Sequence, residues 1–162
     1  MNVQRQKLVV CASLVDKVQN LAGIARTSEI FAVENLVLGD KSVTKSDVFQ
    51  NIAVTADSWI PMSEVKPKNL LAYLQDMRKK GYEIVGLEQT DSSVILGGAD
   101  VVLPQKCVLL LGKEKEGIPV EFLNEVTVTV EIPQLGVIRS LNVHVSAAIA
   151  IWEITKQNQA RG

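Results

Sequence analysis

The sequence predicts an α/β fold with a mostly parallel sheet that has helices on both faces. Short apolar runs alternate along the chain with longer segments whose apolar residues recur at helical spacing. The runs at residues 7–14 and 108–111 are apolar without alternation, which is typical of strands buried on both faces. A chain of 162 residues is long enough to bury its own core, so we expect a single domain.

The first half of the chain predicts three strands and three helices. Asn20 can cap a helix that continues to about Ala32. The turn signal Gly39-Asp40 ends the second strand. Pro67 fits the first turn of the third helix, which stops at a basic last turn before a glycine. The predicted strands are residues 7–14, 36–38 and 52–55, and the predicted helices are residues 20–32, 44–51 and 67–77.

The second half predicts four strands and two helices. The predicted strands are residues 82–87, 101–103, 108–111 and 126–132, and the predicted helices are residues 119–123 and 142–156. The helical segment 143–152 is apolar almost all round, which predicts that it packs both on the sheet and against a second subunit. Residues 157–162 form a polar tail, so the domain is expected to span residues 1–156.

Charge and composition give no sign of a nucleic-acid partner. The 17 basic and 18 acidic side chains leave a net charge of −1, whereas nucleic-acid-binding domains usually carry a basic excess. Aromatic residues make up 4% of the chain, which argues against a protein that stacks bases on aromatic rings. Composition therefore predicts at most weak, salt-sensitive binding of RNA by these residues.

Several kinds of site are excluded by what the sequence lacks. With one histidine and no CxxC pair, it predicts no zinc site. It has no phosphate-binding P-loop, no GxGxxG after the first strand and no GxSxG nucleophile elbow. No apolar run reaches the ~18 residues that span a bilayer. Cys11 and Cys107 lie in apolar runs, which favours reduced thiols in an intracellular protein, of the cytoplasm or nucleus, over a disulfide.

Three polar, glycine-bearing segments follow predicted strands. They are residues 20–31, 109–119 and 132–153. Because ligands of open α/β sheets bind at the carboxyl ends of the strands, these segments are expected to converge on one crevice. Taken singly, they have simpler interpretations as a solvated helix, a charged turn and a helix cap, respectively.

Together the three segments resemble the motifs of the SpoU (TrmH) family of RNA ribose 2′-O-methyltransferases, in the SPOUT superfamily. The similarity extends over residues 7–153. The segments EIVGLEQTDSSV and VIRSLNVHVS look closest to the eukaryotic branch of the family. The matching positions are Asn20, Gly23 and Arg26 in the first motif, Gly112, Glu114 and Gly117 in the second, and Ile132, Pro133, Gly136, Ser140, Leu141 and Asn142 in the third.

The resemblance implies transfer of a methyl group from S-adenosylmethionine to a ribose 2′-hydroxyl of RNA, which leaves S-adenosylhomocysteine. An arginine is protonated in essentially every protein, so we expect Arg26 to hold a phosphate and stabilise the developing alkoxide rather than act as a free base. Asn20 and Glu114 are expected to orient Arg26 or the ribose. The catalytic residues implied by the resemblance are Arg26, Asn20, Glu114, Ser140 and Asn142.

The cofactor is expected to be held mostly by loop backbone. Gly112 lets the chain approach closely, and Ile132 and Leu141 are expected to flank the adenosine, with a plain core role for their side chains as the alternative. The implied cofactor-binding residues are Leu87, Gly112, Ile132, Ser140 and Leu141. The sequence departs from the family pattern at Lys113, Lys115 and Arg139, which are either phosphate contacts or solvated surface.

The resemblance also implies a deep C-terminal trefoil knot, a homodimer and a further N-terminal region beyond these residues. The implied substrate is tRNA, at a guanosine of the D-loop, with ribosomal RNA as the alternative, and little methylation is expected from these residues alone. Two other classes stay open: a silent RNA-binding or dimerisation domain, and a Rossmann-type methyltransferase. The retained motif residues argue against the first, and the missing glycine-rich loop argues against the second.

Overall fold

The computed structural model describes residues 3–162, which form one seven-stranded sheet in which all paired strands are parallel. The strand order is β3-β2-β1-β6-β4-β7-β5. The strands are β1 (Gln6–Ala12), β2 (Val33–Leu38), β3 (Met62–Glu64), β4 (Glu83–Leu87), β5 (Val94–Ile95), β6 (Cys107–Leu111) and β7 (Val128–Glu131). The helices are α1 (Val18–Ile30), α2 (Asp47–Ala53), α3 (Pro67–Lys79), α4 (Val120–Leu123) and α5 (Val143–Ala160).

Helices cover both faces of the sheet, as the sequence predicts. Side chains of β1 point alternately to the two faces. Leu8 and Val10 pack with α1, α2 and α5 on one face, and Val9 and Cys11 pack with α3 and α4 on the other. This burial on both faces explains why the strand is apolar without alternation. Within residues 3–162, no helix is both long and apolar enough to cross a membrane.

The two cysteines are separate, reduced thiols in the core. Cys11 lies in β1 and Cys107 in the neighbouring β6, and both are free and buried. Burial raises the pKa of each thiol to about 12. The thiolate is the reactive form, so both side chains act as small apolar residues, in agreement with the prediction.

Two predicted strands are wrong. Residues 52–55 contain the end of α2, and Val54 and Thr55 then adopt the left-handed region with φ of 50° and 65°, which no strand residue does. Residues 101–103 form a loop whose backbone pairs with side chains of α5: Gln157 donates to the Val101 carbonyl and accepts from the Leu103 amide. Apolar composition alone does not distinguish these cases from short strands.

The structure adds two strands that the sequence analysis missed, β3 and β5. They have three and two residues, which is too short for any periodic pattern. Residues 44–51 are helical only in part, as a 3₁₀ turn at Lys41–Lys45 precedes α2. Helix α5 continues to Ala160, so most of the predicted polar tail is helical, and Arg161 donates to the Leu103 carbonyl at 2.5 Å.

Candidate functional site

A cleft of about 530 Å³ opens at the carboxyl ends of β4, β6 and β7. Its walls are the loop at residues 112–117, which follows β6, and residues of the connection from β7 to α5. Parallel sheets bind ligands at this edge, so the position agrees with the predicted crevice. The predicted site residues that line the cleft are Leu87, Gly112, Glu114, Ile132, Ser140, Leu141 and Asn142.

A chain of hydrogen bonds joins all three sequence motifs beside this cleft. Asn142 donates from Nδ2 to Oδ1 of Asn20 at 3.0 Å, and Asn20 donates from Nδ2 to Oε1 of Glu114 at 2.7 Å. The second carboxylate oxygen of Glu114 lies 3.0 Å from Nζ of Lys17. Three segments that are distant in sequence therefore fix one carboxylate at the cleft wall.

Asn20 does not cap α1, contrary to the prediction. The N-cap of α1 is Lys17, which makes no side-chain capping bond, and Asn20 lies in the first turn of the helix. Its side chain is buried and is hydrogen-bonded to both Asn142 and Glu114. Asn142 does cap a helix: its Oδ1 accepts from the amides of His144 and Val145 at the start of α5. The Asn142 side chain thus caps α5 with its oxygen and donates a hydrogen bond to Asn20 with its nitrogen.

Arg26 is a predicted catalytic residue that the structure leaves outside both the cleft and the hydrogen-bonded series of Asn20, Glu114 and Asn142. It is exposed on α1 and does not line the cleft, and its side chain makes no hydrogen bond or ion pair within residues 3–162. Ser140 is also exposed, but it does line the cleft. A single chain therefore assembles the predicted site without its arginine.

The loop at residues 112–117 is a tight hairpin that only glycine permits at its two ends. The amide and carbonyl of Lys113 pair with those of Gly117 at 2.9 Å in both directions. A Cβ on Gly112 would lie 2.5 Å from the backbone carbon of Gly117, and Gly117 itself has a φ of +72°. The hairpin lines the cleft, where the sequence predicts that Gly112 lets the backbone approach the cofactor.

Sequence reasoning missed Glu88, which supports this hairpin from β4. Its Oε2 accepts from the Ile118 amide at 2.7 Å, and its Oε1 accepts from the Gln89 amide at 3.1 Å. The carboxylate occupies the place that a Cβ on Gly117 would take. Lys17 was not predicted as a site residue either, because a lysine before a helix is usually a solvated residue.

Close packing of α1 on α5 keeps Asn20 and Asn142 together. A Cβ on Gly23 would collide with the His144 ring, and His144 Nε2 lies 3.0 Å from Oγ1 of Thr27. The only histidine of the chain therefore has a structural contact with α1.

We expect His144 to make the fold less stable in acid. Burial lowers its pKa from the ordinary 6.5, so the unfolded chain takes up this proton at a higher pH than the folded chain. The stability linked to His144 is complete above 6.5 and is lost as the pH falls through that value towards the lower folded pKa. Thermal melts at about pH 7.5 and 5.5 should show a smaller loss in His144→Gln than in the wild type. An equal loss in both proteins would contradict this role.

Charges of both signs surround the cleft. Lys113, Lys115 and Arg139 line it, as do Glu114 and Glu116. This balance agrees with the neutral composition and leaves the three basic residues as candidate phosphate contacts. Among residues 3–162, no group of three or more histidine, cysteine, aspartate or glutamate side chains is arranged to hold a metal ion.

The fold and cleft define an α/β protein with a candidate ligand site at the carboxyl ends of parallel strands. Comparison with known proteins shows the family to which it belongs. The chain belongs to the SpoU rRNA Methylase family, whose model matches residues 7–152. It is 48% identical over 151 residues to mouse tRNA (guanosine(18)-2′-O)-methyltransferase TARBP1, and 42% identical over 156 residues to the tRNA (guanosine(18)-2′-O)-methyltransferase of Saccharomyces cerevisiae. The resemblance to the eukaryotic branch is confirmed.

The chain spans only a small part of these relatives. The matches cover 93% and 96% of this chain but 9% and 11% of the mouse and yeast proteins. Its structure is similar to that of the TrmH/SpoU tRNA modifying enzyme of A. aeolicus, with a TM-score of 0.84, 27% identity, and coverage of 98% of this chain and 79% of that one. The predicted fold class is therefore confirmed, and membership of the family implies the C-terminal knot.

A structure of the same fold contains the predicted cofactor. The AdoMet-bound rRNA methyltransferase from Sinorhizobium meliloti has a TM-score of 0.81 and 23% identity, over 96% of this chain and 58% of that one. SpoU homologues have thus been crystallised with this cofactor.

Proposed function

We propose that this chain transfers a methyl group from S-adenosylmethionine to the 2′-hydroxyl of a guanosine in tRNA, at position 18 in the D-loop. The observation that carries the proposal is the hydrogen-bonded series Asn142, Asn20 and Glu114, which joins the three family motifs at one wall of the cleft. A silent domain would have no need to keep these side chains joined. The mouse and yeast relatives support the choice of tRNA over ribosomal RNA.

The residues of the cleft fit the cofactor. The hairpin at residues 112–117 offers backbone donors and acceptors, and Leu87, Ile132 and Leu141 supply apolar surface for a nucleoside. The buried Oε1 of Gln134, in the same cleft, has no hydrogen-bond partner within the described chain. When bound, the cofactor supplies an electrophilic methyl group.

The chain's own residues have to place the ribose hydroxyl and help its proton leave. Ser140 and Asn142 line the cleft and are within the segment where acceptor and cofactor would meet. Glu114 is fixed by Asn20 and Lys17 and orients the groups around it. Arg26 stays protonated, so we assign it to a substrate phosphate and to the charge that develops on the ribose oxygen.

A homodimer, which the sequence predicts, would supply a place for Arg26. One face of α5 is buried in the core through Ala147, Ala150 and Ile154, whereas Val145, Ile149 and Trp152 are between 40% and 48% exposed. This exposed face continues onto α1, because the ring of Phe31 lies 5.8 Å from that of Trp152 and Ile30 is 66% exposed. We propose that a second copy covers it. Arg26 is one helical turn from Ile30 and would act in the cleft of that second copy.

Replacing Trp152 with glutamate should convert the dimer to monomers. A charge placed in an apolar interface is left unpaired, which we expect to weaken association ~100-fold or more. Sedimentation velocity at micromolar concentration measures the change. Val120→Glu is the matched control, because Val120 is 73% exposed on the opposite face of the sheet, and it should remain dimeric. A monomeric wild-type chain would contradict the proposal.

Two measurements test the function itself. Calorimetry with S-adenosylhomocysteine should show binding, and its absence would leave only the scaffold interpretation. Incubation of an excess of protein with an unmodified tRNA transcript and S-adenosylmethionine should yield 2′-O-methylguanosine at one position, slowly if only these residues are present. Methylation of a ribosomal RNA fragment instead, with none of the tRNA, would overturn the choice of substrate.

A further inference from the structure

Gln134 carries an unsatisfied acceptor in the wall of the cleft. Its Oε1 is buried and has no hydrogen-bond partner within residues 3–162. Three other buried side-chain atoms share this state, on Ser28, Asn35 and Asp57, but none of those residues lines the cleft. A buried carbonyl oxygen without a donor is rare and costly, so a donor from a ligand is the natural partner for Gln134.

The surroundings of Gln134 indicate which donor this is. Gln134 follows β7, two residues after Ile132, and Val130 and Leu87 also line the cleft. A neutral amide acceptor suits a flat base with an exocyclic amine, whose ring can lie against the apolar side chains of Leu87, Val130 and Ile132. Gln134 also takes no part in the bonds of Asn20, Glu114 and Asn142, to which the proposed function assigns the transfer of the methyl group.

We propose that Gln134 determines specificity for the base of the cofactor: its Oε1 accepts a hydrogen bond from the 6-amino group of the adenine. The inference rests on the proposed function, since it requires an adenosine cofactor in this cleft. It assigns a side chain to base recognition, in addition to the backbone of the hairpin.

A second glutamine in the cleft provides a matched control. Gln89 also lines the cleft, but its Nε2 already donates to Oε2 of Glu131 at 3.1 Å. The same substitution, to methionine, therefore removes an unpaired amide at Gln134 and a paired amide at Gln89. Methionine keeps the length of the side chain and removes its acceptor.

The test is a binding cycle with two ligands. S-adenosylhomocysteine is compared with an analogue in which hydrogen replaces the 6-amino group of the adenine. This analogue has neither a donor nor an acceptor on that carbon. Calorimetry gives the ratio of the two dissociation constants for each protein, and thermal melts confirm that each variant is folded. In Gln134→Met we expect this ratio to fall about five- to tenfold from the wild-type value, the effect of one hydrogen bond. Gln134→Glu keeps an acceptor and should keep the preference, and Gln89→Met should have the wild-type ratio.

The outcomes separate the two levels of the proposal. If the wild type binds S-adenosylhomocysteine and Gln134→Met has an unchanged ratio, the role of Gln134 is overturned and the proposed function stands. An equal fall in Gln89→Met also overturns it, because the effect is then not specific to the unpaired amide. If the wild type binds neither ligand, both the inference and the cofactor assignment fail.

Discussion

Replacing Arg26 with alanine is expected to lower single-turnover methylation of tRNA ~100- to 1000-fold, while the affinity for S-adenosylhomocysteine stays within about twofold of the wild type. The loss in rate is the size seen when a charged donor to a developing oxyanion is removed. The cofactor affinity should hold because Arg26 does not line the cleft of its own chain. Arg26→Lys should retain a part of the activity, since a lysine can still neutralise a phosphate. Near-normal activity in both variants would exclude a direct role.

Mixing two inactive variants shows in which cleft Arg26 acts. Glu114→Gln damages the cleft, and Arg26→Ala damages the exposed surface of α1. If Arg26 serves the partner subunit, a mixed dimer has one site with both defects and one intact site, and activity returns. If Arg26 serves its own chain, each site in the mixed dimer keeps one defect and no activity returns. Mixing Arg26→Ala with itself is the negative control.

The strands that carry the cleft, β4, β6 and β7, are predicted correctly from the sequence, as are β1 and β2. β1, β4, β6 and β7 are central strands with helices on both faces, so their burial requires the apolar runs that can be recognised in the sequence. The strands that the sequence analysis misses, β3 and β5, lie at the two edges of the sheet and have only two or three residues. At that length, pairing is decided by the rest of the fold and leaves no local pattern.

Several residues of the site could be predicted from the sequence, but the hydrogen bonds that join them could not. The motifs place Glu114 and Asn142 at the cleft, because loops after parallel strands must meet at one edge. The hydrogen-bond partner of each polar group depends on distances across the fold, and the spacing of residues along the sequence does not give these distances. Asn20 illustrates the difference: locally it is a good cap, and a carboxylate acceptor on another segment gives its amide a stronger partner. Glu88 and Gln134 gave no local signal at all.

The near-zero net charge of the chain is reproduced locally at the cleft, where basic and acidic side chains lie together. Basic residues at the cleft, such as Lys113, are offset by neighbouring acidic residues such as Glu116. The binding of RNA that we propose for this chain therefore depends on a few placed contacts and on a second copy, rather than on a broad basic surface. This is the physical reason why composition argued against RNA while the motifs argued for it.

Replacing Gly112 with alanine is expected to lower affinity for S-adenosylhomocysteine at least ~10-fold. The added methyl carbon would lie 2.5 Å from the backbone carbon of Gly117 and 2.7 Å from the Ile118 nitrogen, and neither atom can move without opening the hairpin. Overpacking of this kind costs about 1–3 kcal/mol, and here the strain falls on the backbone that would contact the cofactor. Calorimetry measures the affinity, and a thermal melt separates local opening of the hairpin from general unfolding.

Gly136→Ala is the control for this substitution, because nothing lies within 4 Å of the Cβ that it adds. It places the same methyl group in the other loop of the cleft region and should bind the ligand within about twofold of the wild type. If Gly112→Ala binds as tightly as Gly136→Ala and melts at the wild-type temperature, the hairpin is not the cofactor's binding surface. If only Gly112→Ala loses affinity while both variants melt like the wild type, the tight contact between Gly112 and Gly117 shapes the site. The glycine is then required there by the geometry of binding and not by the stability of the fold.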